Sequence, residues 1–519
     1  MPPNRGKFAR DYDAIVIGTG AGGSSLAYRL AQTGARILVV ERGDYLQVPP
    51  GTPRDTTAVY LGRYTKPGVT VFCVGGLTKF YGAALYRMRE SDFREVAHRC
   101  GVSPRWPISY RDLEPYYEKA EILYRVHGSD DGDPSAPPRR APYPFPPLPH
   151  HPLVAALKER LARSGTQASA LPRGVDFGPA GRCVLCATCD AYYCRLDAKL
   201  DAEVAALRPA LATGRVQLAT RTECAKIITD DRGKRVSGVL LRDAHGEFRV
   251  CAEVVAICAG VDETPLLLRR SRSGRHPNGL GNEGGALGKY LGGHSAAHIF
   301  ALVRWKGLPP IHTKTLAINA FHDGTSEWPY PLGIVQLAGQ MPFWDHASRL
   351  IRPGARIIGT RSLVFFYASQ AIPTRAAGLV FSGDDVADCV MPEHDLKTFA
   401  ALRINAVRAL RAAGYPTFAR RRPDLWHSVG TARMGSDPAD SVTDANGKVH
   451  GVDGLYVADQ SVLPSAGAVN TTLTTIAVAL RLGDHIATNL LRSSAWSGPR
   501  ENARGEQRER ANALRPIRP

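Results

Sequence analysis

The sequence predicts an α/β protein that combines a Rossmann-like domain with a discontinuous α+β domain built on a mostly antiparallel sheet. Three observations support this prediction. Residues 14–40 show the pattern strand, glycine-rich turn, helix, strand. Residues 200–271 continue with strand-like apolar runs separated by polar turns. Residues 299–381 alternate between apolar runs and turns, which is typical of antiparallel strands.

Length and composition indicate a globular protein. The chain has 519 residues, of which 44% are hydrophobic and 22% charged, enough to bury a large core. Its longest apolar stretches, such as residues 254–259, are far shorter than the roughly 20 residues that cross a bilayer. The first residues lack the apolar segment of a secretory signal. We therefore expect a cytoplasmic protein without a transmembrane segment.

The net charge of +18 raises the question of a nucleic-acid partner. Part of the excess lies in residues 492–519, which we predict to form a basic, disordered tail. Another part lies in residues 403–422, where arginines alternate with apolar residues as in an amphipathic helix with a solvated basic face. We find no aromatic platform beside these charges and predict no nucleic-acid partner.

A glycine-rich turn between the first strand and the first helix carries a nucleotide-binding pattern. Gly18, Gly20 and Gly23 form G-x-G-x-x-G, and Glu41 follows at the end of the next apolar run. The first glycine permits the turn, the second lets the backbone approach a pyrophosphate, and the third lets the helix pack closely. A carboxylate at Glu41 would bind ribose hydroxyls and repel a 2′-phosphate. The pattern predicts FAD or NAD rather than NADP.

Several blocks along the chain resemble the glucose-methanol-choline (GMC) oxidoreductases, which are FAD enzymes that oxidise alcohols and sugars. Residues 12–43 are similar to the FAD fingerprint of this family. Residues 74–93 resemble its loop along the flavin, and residues 258–268 resemble its second signature. The resemblance implies that FAD is the cofactor. The further cofactor-binding residues that it implies are Gly75, Gly76, Gly82, Ala259, Gly260 and Asp459.

The C-terminal block carries the residues that the resemblance places at the reaction centre. WHSVGTARMG puts His427 where the family has its catalytic histidine, and GLYVADQSVLPSAGAVNTT puts Asn470 at the second catalytic position. Many relatives have proline where this chain has Thr471. A neutral imidazole can accept the proton of a carbinol near pH 7, and an amide can donate to the developing alkoxide.

We therefore expect FAD-dependent oxidation of CH–OH to C=O, with His427 as general base and Asn470 orienting the substrate oxygen. Residues 106–121, WPISYRDLEPYYEKAE, resemble a phrase of the sugar-oxidising members, which favours a sugar, glycoside or polyol. One alternative is a sterol or long-chain alcohol oxidase that uses oxygen. Another is a non-catalytic flavin-bearing subunit for electron transfer or binding. The electron acceptor stays open among oxygen, a quinone, a cytochrome and a carrier protein.

Four cysteines lie within twelve residues, as C-x2-C-x2-C-x4-C at Cys183, Cys186, Cys189 and Cys194. Some sugar-dehydrogenating GMC relatives hold an iron-sulfur cluster in this part of the chain, and clustered thiolates suit such a cluster. The last spacing differs from that of ferredoxins. Reduced or disulfide-forming structural cysteines, and zinc or another metal, are the alternatives.

We divide the chain as the resemblance suggests. The FAD-binding domain is expected to comprise residues 1–95, 200–300 and 426–491, and the substrate-binding domain residues 96–199 and 301–425, with a proline-rich linker at 133–152. The remaining histidines with a weak claim to function, which include His294 and His450, are interpreted as loop or surface residues.

Overall fold

The computed structural model describes residues 11–46, 71–187, 189–303, 308, 311–340 and 348–493, and the side chains up to residue 488. The tail predicted at 492–519 lies outside the described residues from residue 494 onwards. Within the described part of the chain, no helix is both long and apolar enough to cross a membrane.

The described strands, in chain order, are β1 (Asp11–Ile17), β2 (Ile37–Val40), β3 (Val96–His98), β4 (Gly101–Ser103), β5 (Val126–His127), β6 (Ser169–Ala170), β7 (Arg173–Gly174), β8 (Val216–Ala219), β9 (Glu223–Thr229), β10 (Val236–Asp243), β11 (Gly246–Ile257), β12 (Gly292–Leu302), β13 (Leu316–Ile318), β14 (Ile334–Leu337), β15 (Ser362–Ala371), β16 (Gly378–Ser382), β17 (Asp385–Val390), β18 (Thr417–Ala419), β19 (Asp424–Val429) and β20 (Leu455–Val457). The described α-helices are α1 (Ala21–Ala31), α2 (Tyr110–Leu123), α3 (Pro152–Arg163), α4 (Arg208–Ala212), α5 (Gly260–Arg270), α6 (Arg352–Thr360), α7 (Leu396–Ala412) and α8 (Thr472–Ser493). Short 3₁₀ helices span Gly76–Lys79, Glu90–Phe93 and Gln460–Val462, and a π-helical turn spans Glu203–Leu207.

The first sheet has the order β8-β2-β1-β11-β10-β9, with β20 paired to β11. Strands β8, β2, β1, the second half of β11, and β20 run parallel, whereas β9 and β10 form an antiparallel extension. The central strands are buried on both faces and therefore consist of continuous apolar runs such as Ile37–Val40. Helix α1 packs with Leu26 and Leu30 in the core. The predicted Rossmann-like unit is confirmed.

The second sheet has the order β18-β12-β15-β14-β13-β6, with β19 also paired to β12, and every pairing in it is antiparallel. Helix α7 covers one face, where the ring of Phe399 stacks on that of Tyr367 at 4.6 Å between centroids. The mostly antiparallel sheet is thus also confirmed. The amphipathic helix expected within residues 403–422 corresponds to α7, which begins at Leu396 and ends at Ala412.

The segments around helices α2 and α8 are hydrogen-bonded to each other. Trp106 Nε1 donates a hydrogen bond to Ser465 Oγ at 2.8 Å, and the hydroxyls of Tyr117 and Thr474 lie 2.8 Å apart. The WPISY segment and helix α2 therefore hold the C-terminal segment that carries Asn470 in place by hydrogen bonds.

Candidate active site

Several chain segments distant in sequence meet at one edge of the first sheet. The parallel strands β1, β2, β11 and β20 end at Ile17, Val40, Ile257 and Val457. Carboxyl ends of parallel strands lie at the same edge of a sheet, so the residues that follow each strand come together there. The predicted residues Gly18, Glu41, Ala259 and Asp459 all lie in these four connections.

The glycine-rich turn is shaped by close packing on one side and open space on the other. Gly18 has a φ of +100°, and a Cβ there would overlap the carbonyl oxygen of Cys258. A Cβ on Gly23 would likewise overlap the carbonyl oxygen of Gly18. At Gly20, in contrast, a Cβ would have no described atom within 4 Å. The open side lies at the N-terminus of α1, where a phosphate group is favoured.

Glu41 is fixed at this edge by three hydrogen bonds. Its Oε2 accepts from the backbone N–H of Thr19 at 3.1 Å and from the Thr19 hydroxyl at 2.5 Å, and its Oε1 accepts from the N–H of Gly43 at 2.9 Å. Burial raises the pKa of the Glu41 carboxyl, although these hydrogen bonds act in the opposite direction. The carboxylate therefore has a fixed position beside the glycine-rich turn.

Asp459 joins the second signature to the C-terminal block. One carboxylate oxygen accepts from the N–H of Gly260 at 2.9 Å and from the hydroxyl of Thr264 at 2.5 Å, and the other accepts from the N–H of Ser461 at 2.8 Å. A Cβ on Gly260 would point into space free of described atoms within 4 Å. The N-terminus of α5 is therefore capped by Asp459, with open space beside Gly260 at the same edge.

The loop with Gly75 and Gly76 lies against the glycine-rich turn. The N–H of Gly75 donates to Thr19 Oγ1 at 3.1 Å, and a Cβ on Gly76 would be 3.2 Å from Gly20 Cα. Gly82 has a different environment, because a Cβ there would overlap Oδ1 of Asp190. That carboxylate oxygen accepts a hydrogen bond from Lys314 Nζ at 2.6 Å.

His427 is directed by an irregularity in strand β19. Gly292 pairs with Val429 and His294 pairs with Trp426, so β19 has one residue more than β12 between these pairs. His427 lies within this β-bulge and has a φ of +53°, which non-glycine residues seldom adopt. A bulge turns a side chain away from the regular alternation of the strand. Strained backbone of this kind is concentrated at functional sites.

The structure brings His427 and Asn470 together. Asn470 Nδ2 lies 3.5 Å from His427 Nε2. Asn470 is 8% exposed, and its Oδ1 is buried without a hydrogen-bond partner among the described residues. Desolvation by burial, with smaller contributions from His294 and Lys314, lowers the pKa of His427 to about 3. The imidazole is therefore neutral near pH 7.

Two neighbours of His427 were not predicted as site residues. His294, interpreted above as a loop or surface residue, is a strand residue of β12 with 1% exposure, and its Nδ1 lies 2.9 Å from His427 Nδ1. That interpretation is wrong. Lys314 is 4% exposed and close enough to lower the pKa of His427. Both contacts depend on pairing between distant strands, so no local sequence pattern indicates them.

The described residues of the four-cysteine segment are not arranged as a metal site. Among the residues that the structure describes, no three His, Cys, Asp or Glu side chains are grouped so that they could hold a metal ion, and none of these four cysteines is in a disulfide. Lys199 Nζ instead donates to the backbone carbonyls of Tyr81, Cys189 and Tyr192, which organises the loop through main-chain atoms. Burial raises the pKa of Cys183 to about 11. The predicted iron-sulfur cluster is not supported.

The edge of the first sheet fits a dinucleotide. Gly20 and Gly260 leave open space at two helix N-termini, and the orphaned Asn470 Oδ1 lies buried beside His427. A Rossmann-like sheet edge that meets a His–Asn pair next to an antiparallel sheet defines the class of flavoprotein oxidoreductases.

Comparison with known proteins identifies the family within this class. Residues 12–296 and 397–479 match the two models described as GMC oxidoreductase. The chain belongs to the GMC oxidoreductase family, as predicted, and this family binds FAD and consists of oxidoreductases.

The chain is similar along its length to several characterised enzymes. It is 29% identical to paromamine 6'-oxidase of Streptomyces fradiae and 30% identical to 6'''-hydroxyparomomycin C oxidase of Streptomyces lividus, each alignment covering 93% of this chain and 92% of the relative. It is 27% identical to 2-methyl-1,2-propanediol dehydrogenase of Mycolicibacterium austroafricanum, over 92% of this chain and 95% of the relative. Pyridoxine 4-oxidase from Mesorbium loti has the same fold, with a TM-score of 0.63, 19% identity, and coverage of 91% of this chain and 98% of that one.

Proposed function

We propose that the protein oxidises a CH–OH group of a sugar, glycoside or polyol to C=O, with His427 as general base and Asn470 orienting the substrate oxygen. The observation that carries this proposal is the 3.5 Å approach of Asn470 Nδ2 to His427 Nε2. The neighbouring Ser428 carbonyl accepts from Gln460 Nε2 at 2.8 Å, in the connection that follows β20 of the first sheet. The division into an FAD-binding and a substrate-binding domain, at the boundaries given above, belongs to the same proposal.

The residues proposed to hold FAD lie, with the exception of Gly82, at or beside the edge where the parallel strands end. They are Gly18, Gly20, Gly23, Glu41, Gly75, Gly76, Gly82, Ala259, Gly260 and Asp459. When bound, FAD supplies the acceptor for the hydride that leaves the carbinol carbon. The open helix N-terminus at Gly20 suits its pyrophosphate, and the carboxylate of Glu41 suits a ribose.

His427 is suited to take the hydroxyl proton because its ring is neutral over the physiological pH range. Asn470 can donate from its amide to the substrate oxygen, on which negative charge develops as the proton leaves. Asn470 is buried, and His427 is held in the bulge of β19 in contact with the buried His294, so little reorganisation is needed when the substrate binds.

The substrate class is supported by the relatives named above. Two of them are oxidases named for aminoglycosides and one is a dehydrogenase named for a diol. These names include oxidases and a dehydrogenase, so the proposal covers both classes of electron acceptor. We therefore propose a hydroxyl-rich substrate without assigning the acceptor.

The test is an anaerobic absorption spectrum of the FAD-loaded protein before and after addition of paromamine, fructose, 2-methyl-1,2-propanediol or cholesterol. We expect bleaching of the flavin bands by one of the first three compounds, and His427→Ala should slow it roughly 10²- to 10⁴-fold. His245→Ala, an exposed histidine, is the matched control and should leave the rate unchanged. Bleaching by cholesterol alone, or full activity of His427→Ala, would overturn the proposal.

A further inference from the structure

His294 has both ring nitrogens engaged in the interior of the protein. It lies on β12, is 1% exposed, and pairs across the sheet with the bulged strand that carries His427. Its Nε2 is 3.1 Å from the carbonyl oxygen of Gly467, and its Nδ1 is 2.9 Å from Nδ1 of His427. The two rings are close to perpendicular, with an interplanar angle of 82°.

The protons in this chain of contacts follow from the chemistry of the partners. A carbonyl oxygen only accepts, so Nε2 of His294 carries a proton and donates it to Gly467. In the neutral ring, Nδ1 of His294 is then an acceptor. The Nδ1 of His427 must therefore carry the proton between the two rings, which leaves a lone pair on His427 Nε2.

We propose that His294 is a positioning residue that holds His427 in the Nδ1–H tautomer, so that Nε2 faces the reaction centre as a proton acceptor. This inference deepens the proposed function and rests on it. In the other tautomer Nε2 of His427 would carry the N–H and would have no lone pair. That arrangement could not accept a proton.

Residues 467–470 interact with both His294 and His427. Gly467, which accepts from His294, precedes Asn470 by three residues in the loop before α8. Asn470 contacts the opposite nitrogen of His427. Through His294, the loop therefore fixes the proton on Nδ1 of His427. Through Asn470, it contacts Nε2, which has the lone pair.

The surroundings of His294 and His427 keep both rings neutral. Burial lowers the pKa of His294 to about 4, although its contacts with the backbone at Gly467 and Ala466 act in the opposite direction. Lys314 is the cation that lowers the pKa of His427, and it is paired with Asp190. Neither histidine is therefore protonated near pH 7.

Substitutions at His294 separate its two hydrogen bonds. In His294→Asn, Oδ1 takes the place of Nδ1 and can still accept from His427. In His294→Gln, the terminal amide reaches the place of Nε2 and can donate only to Gly467, and His294→Leu removes both contacts. We expect the rate constant of flavin reduction to stay within about 5-fold of wild type in the Asn variant and to fall about 10- to 100-fold in the Gln and Leu variants, with KM changed less than about 3-fold.

A matched control is available at another buried histidine. His276 Nε2 lies 2.7 Å from the carbonyl oxygen of Gly233, at 8% exposure, but is not in contact with His427. His276→Gln should leave the reduction rate unchanged. Equal rates in the Asn, Gln and Leu variants of His294, all with bound FAD and a wild-type melting temperature, would overturn the proposal.

Nitrogen NMR of the wild-type FAD enzyme with ¹⁵N-labelled histidine tests the tautomer without a variant or a substrate. We expect His427, assigned by loss of its signals in His427→Ala, to show a protonated Nδ1 and an unprotonated Nε2 at pH 7. A protonated Nε2 on His427 would overturn the inference. If His427→Ala retains full activity while the NMR pattern is as expected, the proposed function fails and the tautomer assignment stands.

Discussion

The carboxylate of Asp459 accepts a hydrogen bond from the backbone N–H of Gly260 at 2.9 Å, across 199 residues of the chain. The same oxygen accepts from the Thr264 hydroxyl, and the other oxygen from the N–H of Ser461. Asp459 is 5% exposed, so water cannot replace these partners. This side chain therefore ties the N-terminus of α5 to the segment that leads to Asn470.

Asp459→Asn should destabilise the protein and weaken FAD binding. An amide offers one acceptor oxygen where the carboxylate offers two, so at least one buried donor loses its partner, at a cost of about 1–3 kcal/mol. Thermal unfolding of the apo- and FAD-loaded proteins measures this. Asp453→Asn is the control, because Asp453 is paired with Lys448 at the surface and should shift stability by less than about 1 kcal/mol. Equal melting temperatures for the two variants would contradict the prediction.

Gly20 and Gly22 should respond differently to alanine. A Cβ at Gly22 would overlap the carbonyl oxygen of Ala458, whereas at Gly20 it would enter the open space proposed for the pyrophosphate. We expect Gly22→Ala to lower the melting temperature of the apoprotein. Gly20→Ala should leave that temperature nearly unchanged and weaken FAD binding at least about 10-fold.

The control for this pair is Gly274→Ala, where a Cβ has no described atom within 4 Å and the backbone is not left-handed. Gly274→Ala should change neither the melting temperature of the apoprotein nor its affinity for FAD. FAD titration followed by fluorescence gives the affinity. Unchanged FAD affinity in Gly20→Ala would show that the open space beside α1 is not the pyrophosphate site.

The first sheet was predictable because its signals are local. The glycine-rich turn, α1 and Glu41 follow one another in sequence and are read directly from it. The arrangement around His427 was only partly predictable, because His294 reaches it through pairing between β12 and β19, more than 100 residues apart. The bulge that directs His427 has no local signature either. The metal cluster suggested by the cysteine spacing is not supported, and the contacts of the Lys199 ammonium with carbonyl oxygens of this loop could not be predicted from that spacing.

The pH dependence of flavin reduction should reflect the low pKa of His427. Since burial lowers that pKa from 6.5 to about 3, the ring stays an acceptor through the mildly acidic range. We expect the rate constant to be nearly independent of pH between about 8 and 5 and to decline only towards pH 3. Anaerobic stopped-flow measurements across this range test the expectation. A decline centred near pH 6.5 would mean that His427 titrates as an ordinary, solvated histidine.

The free energy of unfolding should decrease on acidification, because burial lowers the pKa values of His294 and His427. His294 and His427 have pKa values below those of the unfolded chain, so on acidification the unfolded state takes up protons first. The free energy of unfolding should therefore decrease as pH falls below about 6.5, by at most about 1.4 kcal/mol per pH unit for each histidine. Denaturant unfolding at pH 7.5 and pH 5 measures this slope. His294→Gln should make it shallower because one buried titrating group is removed, and an unchanged slope would show that His294 titrates alike in the folded and unfolded states.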